Sequence, residues 1–318
     1  MKIAYLMLVH QNPRLLKRAV AALSCDGCGF FIHVDQRVDA RSFSDIGGNT
    51  IFFCKQRVPV YWGEFSLVQA TLMLMREALG SAEGYDYFVL LSGSDYPLRA
   101  GTYIRRFLKE NRGSEFINLV KMPAPGFPLS KINKLRYPSD KPARRFASRT
   151  LAKIGLAQRD FRRSLRGLDA YGGTQWWTIS RDAAQYIAGS VRLNPHLEKY
   201  FQKAFTSDEM FFHTILGNSP FRTRVRRSLV YLDWHDAGNH PRMLTDEHVR
   251  FFESREKIWV EDEWGSGEVL FARKFSDESL DLVDRIDEMI RRKEELELTP
   301  FQRGRFIDRP ADGRNSLA

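Results

Sequence analysis

Cysteines are scarce in this chain. Its 318 residues include three cysteines, Cys25, Cys28 and Cys54, which are too few for a disulfide framework. We expect reduced thiols in a cytoplasmic protein. A redox-active or zinc-binding Cys25-x-x-Cys28 is the alternative, but no second cysteine pair follows to complete a zinc site.

Long hydrophobic runs are also absent. No window approaches the roughly 20 apolar residues that a bilayer-spanning helix needs. The apolar run at the N-terminus ends at Val9, and the polar residues 10–14 follow without a small-residue cleavage site. The pattern therefore favours a buried first strand over a signal peptide.

Several motifs that identify common α/β enzymes are missing. No G-x-G-x-x-G follows the first strand, no G-x-x-x-x-G-K-[ST] occurs, and no G-x-S-x-G elbow is present. These absences argue against a dinucleotide-binding enzyme of the usual type, a P-loop NTPase and an α/β-hydrolase.

Positive charge is present in excess and is concentrated in one segment. The formal net charge is +10, and residues 131–166 hold twelve Lys and Arg against the two acids Asp140 and Asp160. A basic patch can face nucleic acid, an anionic membrane or a phosphorylated ligand, whereas a solvated insertion is an equally weighted alternative. No nucleic-acid-binding motif accompanies it, so we expect no nucleic-acid partner.

Apolar runs alternate with helical patterns in the first 120 residues. Strands are predicted over residues 2–10, 29–35, 50–55, 85–93 and 114–120. Helices are predicted from Asn12-Pro13 onward, over 65–79 and over 102–111. This order is typical of an α/β domain with a mostly parallel sheet, in which ligands lie beyond the carboxyl ends of the strands. The polar residues at those ends are His10-Gln11, His33 to Asp35 and Ser92 to Asp95.

The second half is less regular. Residues 121–170 read as an insertion with irregular and short helical pieces. A strand is predicted within 172–180, helices over 181–190 and 207–216, and strands at 228–234 and 270–275. An amphipathic helix over 276–297, capped by Ser276, would close a single domain of residues 1–298, followed by a loose tail over 299–318.

The segment around Ser207 carries two acids at a predicted helix start. With Ser207 as N-cap, Asp208 and Glu209 lie in the first turn, where the helix dipole stabilises acids. A general base is the functional alternative. Glu209 and His213 are spaced as half a metal site, although a hydrogen bond on the helix surface explains that spacing better.

Two pairs of cations lie beside predicted strands. Arg226-Arg227 precedes one strand and Arg273-Lys274 lies in another. Such pairs can clamp a diphosphate, and surface charge is the alternative.

Seven segments of the chain together resemble one enzyme family. In order they are KIAYLMLVH, FFIHVD, VYWGEFSLVQATLMLMREAL, YDYFVLLSGSDYPLR, GGTQWWTIS, SDEMFFHTILGNSPF and LFARKF. In this order they resemble the Core-2/I-branching β-1,6-N-acetylglucosaminyltransferase and peptide O-xylosyltransferase family, with details nearer the xylosyltransferases. The few cysteines fit a bacterial member.

The resemblance implies a GT-A-type fold and an inverting glycosyltransferase that uses a UDP-sugar, GlcNAc or xylose being the expected sugar. It implies no metal or other cofactor, and the chain has no Asp-x-Asp triplet. Glu209 would be the catalytic base. Lys274 and Arg227, with Arg226 as a one-residue alternative and Arg273 as a neighbour, would neutralise the leaving diphosphate.

The resemblance also implies binding residues. The implied nucleotide contacts are His10, His33, Val34, Asp35, Tyr61 and Trp62. The implied contacts to donor sugar and acceptor are Ser94, Asp95, Gln175, Trp176 and Asp208.

The acceptor does not carry over, because residues 121–170 match no part of the family pattern. We expect a glycan, lipid-linked or protein-linked acceptor, and peripheral contact of residues 131–166 with the inner membrane face. A non-catalytic nucleotide-sugar or glycan-binding protein is the competing hypothesis, against which the presence of both Glu209 and Lys274 argues.

Overall fold

The computed structural model describes residues 1–137, 158–235 and 240–303, together with residues 139, 143, 146 and 150; for residues 298–303 it describes the backbone alone. The strands are β1 Ile3–Val9, β2 Cys28–Val34, β3 Ile51–Phe53, β4 Tyr87–Ser92, β5 Asp95–Pro97, β6 Glu115–Phe116, β7 Val120–Lys121, β8 Tyr171–Gly172, β9 Thr178–Ser180, β10 Val225–Arg226, β11 Val230–Leu232, β12 Trp259–Asp262, β13 Gly265–Glu268 and β14 Phe271–Arg273. The helices are α1 Pro13–Leu23, α2 Phe65–Gly80, α3 Gly101–Glu110, α4 Ser130–Asn133, α5 Phe161–Ser164, α6 Arg181–Leu193, α7 Pro195–Phe201, α8 Phe211–Gly217, α9 Asp246–Glu253 and α10 Leu280–Arg303. Single 3₁₀ turns occur at Ala40–Phe43, Ser207–Glu209 and Pro220–Arg224.

The main sheet runs in the order β10-β6-β9-β4-β1-β2-β3. Within the described chain β9 alone is antiparallel to its neighbours β4 and β6, and the other pairings are parallel. This confirms the predicted α/β fold with a mostly parallel central sheet. Its central strands are apolar throughout because helices cover both faces of a parallel sheet.

The register of the central strands places their polar ends side by side. Leu8 of β1 pairs with His33 of β2 on one side and with Ser92 of β4 on the other. The residues that follow these three positions therefore emerge at one edge of the sheet. This edge is the place where ligands bind in such folds.

A second sheet, in the order β11-β14-β5, adjoins that edge. β5 follows β4 after the two residues Gly93 and Ser94, and the backbone N–H of Phe275 donates to the Ser94 carbonyl at 2.9 Å. A separate apolar cluster, including Tyr96, Phe252 and Ile286, packs this sheet against α9, α10 and α1. The second sheet thus brings β14 next to the polar ends of the main sheet.

The C-terminal helix begins later than the sequence pattern predicts. Ser276 does not cap it; its Oγ accepts from the Glu278 N–H in a turn ahead of α10. The preceding segment docks onto α1, where the Asp277 carboxylate accepts the Leu15 N–H at 2.7 Å. The helical backbone continues to Arg303, past the predicted end, whereas residues 304–318 lie outside the described residues.

Part of the basic segment belongs to the protein interior. The Arg159 guanidinium is half-buried and donates to the carbonyls of Tyr200 at 2.7 Å and Ile132 at 3.0 Å. The Arg136 guanidinium lies 3.7 Å from the centroid of the Phe205 ring. These cations are not a solvated insertion. Of the remaining cations, Lys141, Arg144, Arg145, Arg149 and Lys153 lie outside the described residues.

The cysteines are free thiols, and the Cys25 and Cys28 Sγ atoms lie 2.8 Å apart.

Among the helices that the structure describes, none combines the length and the apolar character needed to cross a bilayer.

Candidate active site

A cavity of about 370 Å³ opens at the carboxyl ends of β1, β2 and β4, beside β14. It brings together nine of the residues that the family resemblance implies for the site. They are His10, His33, Asp35, Trp62, Ser94, Gln175, Trp176, Arg273 and Lys274.

One wall comes from the end of β2. The backbone N–H of Val58 donates to His33 Nε2 at 3.0 Å, and burial lowers the pKa of His33, so the ring is neutral with its proton on Nδ1. Burial works against the charge of Asp35, but hydrogen bonds from Arg37, including one of 2.8 Å, hold the Asp35 pKa below its ordinary value. The wall therefore has one neutral ring and one fixed carboxylate, both partnered by protein groups.

Trp62 forms an aromatic part of the same cavity and remains 51 % exposed. Its ring meets those of His240 and Phe205 edge-on, with centroids 4.9 and 5.3 Å away. An exposed indole beside polar groups can stack on a flat or sugar-like ligand. Tyr61 and Val34 do not line the cavity: Tyr61 lies under the Arg37 guanidinium, and Val34 is buried within β2.

The opposite wall is cationic. Arg273 donates to the Ser92 hydroxyl, lies 3.4 Å from Asp95 Oδ1 and covers the Trp176 ring at 4.6 Å. Lys274 follows it, and burial together with the Arg273 charge lowers the Lys274 pKa. Both cations line the cavity, and two adjacent cations of this kind are able to bind an anion such as a diphosphate.

Asp95 lies behind this wall and does not line the cavity. It is buried, and burial raises its pKa although Arg273 works against that rise. Its position fixes the direction of the Arg273 guanidinium.

Arg227 lies elsewhere. Its guanidinium is buried and pairs with Asp262, with 2.6 Å between Nη2 and Oδ2. It lines a separate cleft with Arg222, Arg226 and Trp264. The main cavity is therefore lined by the pair Arg273-Lys274, whereas Arg226 and Arg227 line the separate cleft. The prediction that Arg227 acts together with Lys274 is not supported by this arrangement.

The turn at Ser207–Glu209 is a 3₁₀ turn, and the α-helix begins after it at Phe211. The prediction that Ser207 caps the helix is wrong. The N-cap position of the α-helix belongs to Met210, and that of the 3₁₀ turn to Thr206, which has a left-handed backbone with φ of 52°. The Ser207 hydroxyl is directed backwards, towards the carbonyls of Phe201 at 2.8 Å and Ala204 at 3.0 Å.

Asp208 is buried in this turn, and its Oδ1 has no hydrogen-bond partner in the described part of the molecule. Burial, and then the neighbouring Glu209 charge, raise the Asp208 pKa to about 7. Asp208 holds neither N-cap position, which belong to Thr206 for the turn and to Met210 for α8, so it is not a cap.

Glu209 extends to the surface of the same turn. Its Oε2 accepts a hydrogen bond of 3.0 Å from Lys131 Nζ, and both side chains are 26 % exposed. His213 does not contact it: the buried His213 ring donates from Nε2 to the Thr174 carbonyl at 3.0 Å, and burial lowers its pKa to about 4. Glu209 and His213 thus form neither the predicted hydrogen bond nor half a metal site. Over residues 1–137, 158–235 and 240–303 no His, Cys, Asp or Glu cluster suits a metal ion.

The loop of residues 173–176 connects Glu209 with the cavity. The Gly173 N–H donates to the Glu209 carbonyl at 3.0 Å, and the next residue receives the His213 hydrogen bond. Gln175 and Trp176 then line the cavity, with Arg273 over the Trp176 ring. A carboxylate and a cationic pair therefore flank one loop.

The structure adds residues that sequence reasoning does not assign. Arg37, Val60, Leu67 and His240 line the cavity, and Lys131 binds Glu209. The position of Arg37 at the cavity could have been predicted, since it lies two residues after Asp35 at the end of the same predicted strand. Nothing in the sequence relates His240 or Lys131 to this site.

A family model, Core-2/I-Branching enzyme, matches residues 3–255. The chain belongs to the Core-2/I-branching enzyme family. The predicted GT-A-type fold class agrees with this family and with the mostly parallel sheet. Arg273 and Lys274 lie beyond the matched residues.

Curated relatives of this family member carry transferase names. Human Xylosyltransferase 2 is 27 % identical over 243 residues, covering 74 % of this chain and 27 % of that protein. Xylosyltransferase 1 of Rattus norvegicus is 26 % identical over 244 residues, covering 74 % and 28 %. This chain spans about a quarter of the length of the curated relatives it matches.

Proposed function

We propose that this protein is an inverting, metal-independent glycosyltransferase that moves GlcNAc or xylose from a UDP-sugar to a hydroxyl of a glycan or glycoconjugate. One observation supports the proposal most strongly. A cavity with a polar and aromatic wall ends at two adjacent cations, and the 173–176 loop joins its rim to Glu209. The family membership and the names of the relatives agree with it.

The polar wall suits the nucleotide. The fixed Asp35 carboxylate and the neutral His33 ring lie where a uridine needs directional polar partners, and Trp62 offers a stacking surface. Arg273 and Lys274 then face the diphosphate. As the bond between the anomeric carbon and the UDP oxygen breaks, the electron pair moves to that oxygen, where these cations stabilise the charge.

Glu209 supplies the base. The acceptor hydroxyl attacks the anomeric carbon from the face opposite to UDP, and its proton passes to the Glu209 carboxylate. Attack and departure on opposite faces invert the configuration. The cationic pair does the work that a divalent metal does in many diphosphate-releasing enzymes, so the proposed reaction needs no metal.

The test is UDP release from a panel of UDP-sugars in the presence of EDTA. We expect turnover with EDTA, a loss of about 10²–10⁴-fold in Glu209→Gln, and a comparable loss in Lys274→Met. Glu110→Gln, on an exposed face of α3, is the matched control and should retain full activity.

Two outcomes would overturn the proposal. Strict dependence on Mn²⁺ would refute metal independence. Binding of UDP-sugars without turnover, unchanged in Glu209→Gln, would instead favour a non-catalytic nucleotide-sugar-binding protein.

A further inference from the structure

We propose that Lys131 is the positioning residue of Glu209: it keeps this carboxylate charged and oriented for proton removal. This inference rests on the proposed function, in which Glu209 is the base. Lys131 comes from the basic segment, which holds none of the seven segments that carry the resemblance in the sequence, and none of the roles implied by the resemblance fall on it.

The Lys131 ammonium is fixed from two sides. Its Nζ lies 3.0 Å from Glu209 Oε2 and 4.5 Å from the centroid of the Phe127 ring. Both charged side chains are three-quarters covered, so water screens this pair less than it screens an ion pair on the open surface. The other Glu209 oxygen, Oε1, has no hydrogen bond within the described residues and can accept the acceptor proton.

The backbone that carries Lys131 is anchored to the elements that carry Glu209. Lys131 lies in α4 beside the buried Ile132, whose carbonyl accepts the Tyr200 hydroxyl at 2.9 Å and the Arg159 guanidinium at 3.0 Å. Tyr200 belongs to α7, which leads within six residues to the Ser207–Glu209 turn. Lys131 and Glu209 therefore lie on segments that are hydrogen-bonded to each other through Ile132 and Tyr200.

A counter-ion is needed here because two acids adjoin. Asp208 is buried beside Glu209 with Oδ1 unpartnered in the described chain, and two neighbouring carboxyl groups compete for a proton. The Lys131 charge opposes the rise in the Asp208 pKa that burial and Glu209 cause. His213 of α8 adds no charge here, because its ring is buried and neutral and bonds to the Thr174 carbonyl. Within the described residues, Lys131 is thus the cation that is hydrogen-bonded to the Glu209 carboxylate.

The experiment compares Lys131→Met, Lys131→Arg and Lys134→Met in sugar transfer across pH 5–9. Lys134 is an exposed cation three residues away, so its variant is a control for the same loss of charge. For Lys131→Met we expect kcat to fall about 10–100-fold across the pH range, because the carboxylate loses the partner that orients it, and the acidic limb of the pH profile to move about one unit higher. A carboxylate without its cation binds a proton more readily, so the loss relative to the wild type should be larger at pH 5 than at pH 8.

Lys131→Arg should keep the pH profile and most of the rate, since the cation is retained, and Lys134→Met should match the wild type. In a Glu209→Gln background, Lys131→Met should cause no further loss. Should Lys131→Met fail to fold, as judged by circular dichroism, Lys131→Gln replaces it.

An unshifted pH profile in Lys131→Met, or a defect in KM alone, would overturn the role of Lys131 while leaving the proposed function intact. Full transfer activity in Glu209→Gln would overturn the proposed function itself. The two failures are therefore distinguishable.

Discussion

At the scale of single residues, Asp208 shows how burial changes what an acid does. In sequence it lies next to Glu209 after a serine, a pattern typical of a helix start. In the fold it is covered, its Oδ1 has no partner in the described chain, and its pKa rises to about 7. Glu209, the next residue, remains partly exposed and forms an ion pair with Lys131.

The raised pKa of Asp208 predicts a pH-dependent stability. Folded Asp208 binds a proton more tightly than an unfolded aspartate, whose pKa is near 3.8, so its contribution is favourable below pH 4 and is lost as pH rises through about 7. Asp208→Asn removes this dependence. We expect the variant to be more stable than the wild type by on the order of 2 kcal/mol at pH 8, and by much less at pH 5, in urea unfolding. An equal difference at both pH values would contradict this assignment.

Positions at the cavity were predictable where a family segment or a strand end marked them. His33, Asp35 and Lys274 line the cavity, and their roles there remain predictions. The sequence could not show that Arg227 lies apart from Lys274. The position of Arg227 depends on its ion pair with Asp262, which is distant in the chain. The left-handed turn at Thr206, which displaces the cap, is likewise invisible in the local pattern.

At the scale of elements, the 173–176 loop determines how the base and the cavity are arranged. A Cβ at Gly173 would lie 1.7 Å from the Asn118 carbonyl oxygen and 2.7 Å from His213 Cδ2. The loop can therefore pass between these groups only because this residue has no side chain.

Gly173→Ala should both destabilise the fold and reduce transfer. The clash involves backbone, which cannot move aside as a flexible side chain would, so we expect a loss of about 1–3 kcal/mol. The displaced loop also carries the N–H that holds the Glu209 carbonyl, so transfer should fall further than stability alone explains. Thermal unfolding and UDP release measure the two effects.

The matched control is Gly189→Ala, within α6, where an added Cβ meets no atom within 4 Å. It should be neutral or stabilise the protein by up to about 1 kcal/mol, because alanine favours a helix over glycine. A Gly173→Ala variant that behaves like this control would show that the close approach to Asn118 is unimportant.

Elements with an apolar or periodic pattern were predictable, including the short strands β3, β11 and β14, whereas the break between β6 and β7 was not. The apolar strands and the amphipathic helices appear near their predicted bounds. The strand predicted over 114–120 is instead two short strands, β6 and β7, and between them the Asn118 side chain accepts the Ser228 N–H at 2.8 Å. Ser228 is more than 100 residues away in the chain, and no local pattern reveals this contact.

At the scale of the whole molecule, the net charge of +10 is not spread evenly. In the segment 131–166, Lys131 and Arg159 serve internal contacts, whereas Lys134, Arg162, Arg163 and Arg166 are exposed. The proposed contact with an anionic membrane therefore depends on this exposed subset, together with any contribution from the cations outside the described residues.

Charge reversal tests the membrane proposal. The double variant Arg162→Glu/Arg163→Glu should bind vesicles containing phosphatidylglycerol more weakly, by roughly 10-fold or more, since each cation near an anionic surface contributes about 1 kcal/mol. Vesicle co-sedimentation at low and high salt measures this binding. Lys17→Glu/Arg192→Glu reverses two exposed cations elsewhere and is the control. Equal binding by both double variants would reject residues 131–166 as the contact.

The cavity joins the two ends of the sequence. Residues 8–11 form one part of its lining and Arg273-Lys274 another, and Asp277 fastens the following segment onto α1. A chain of the first 250 residues therefore carries the polar part of this lining without Arg273 and Lys274. Because contacts between such distant segments form late in folding, the proposed activation of a sugar donor has to wait until residues 273–274 have been synthesised and packed.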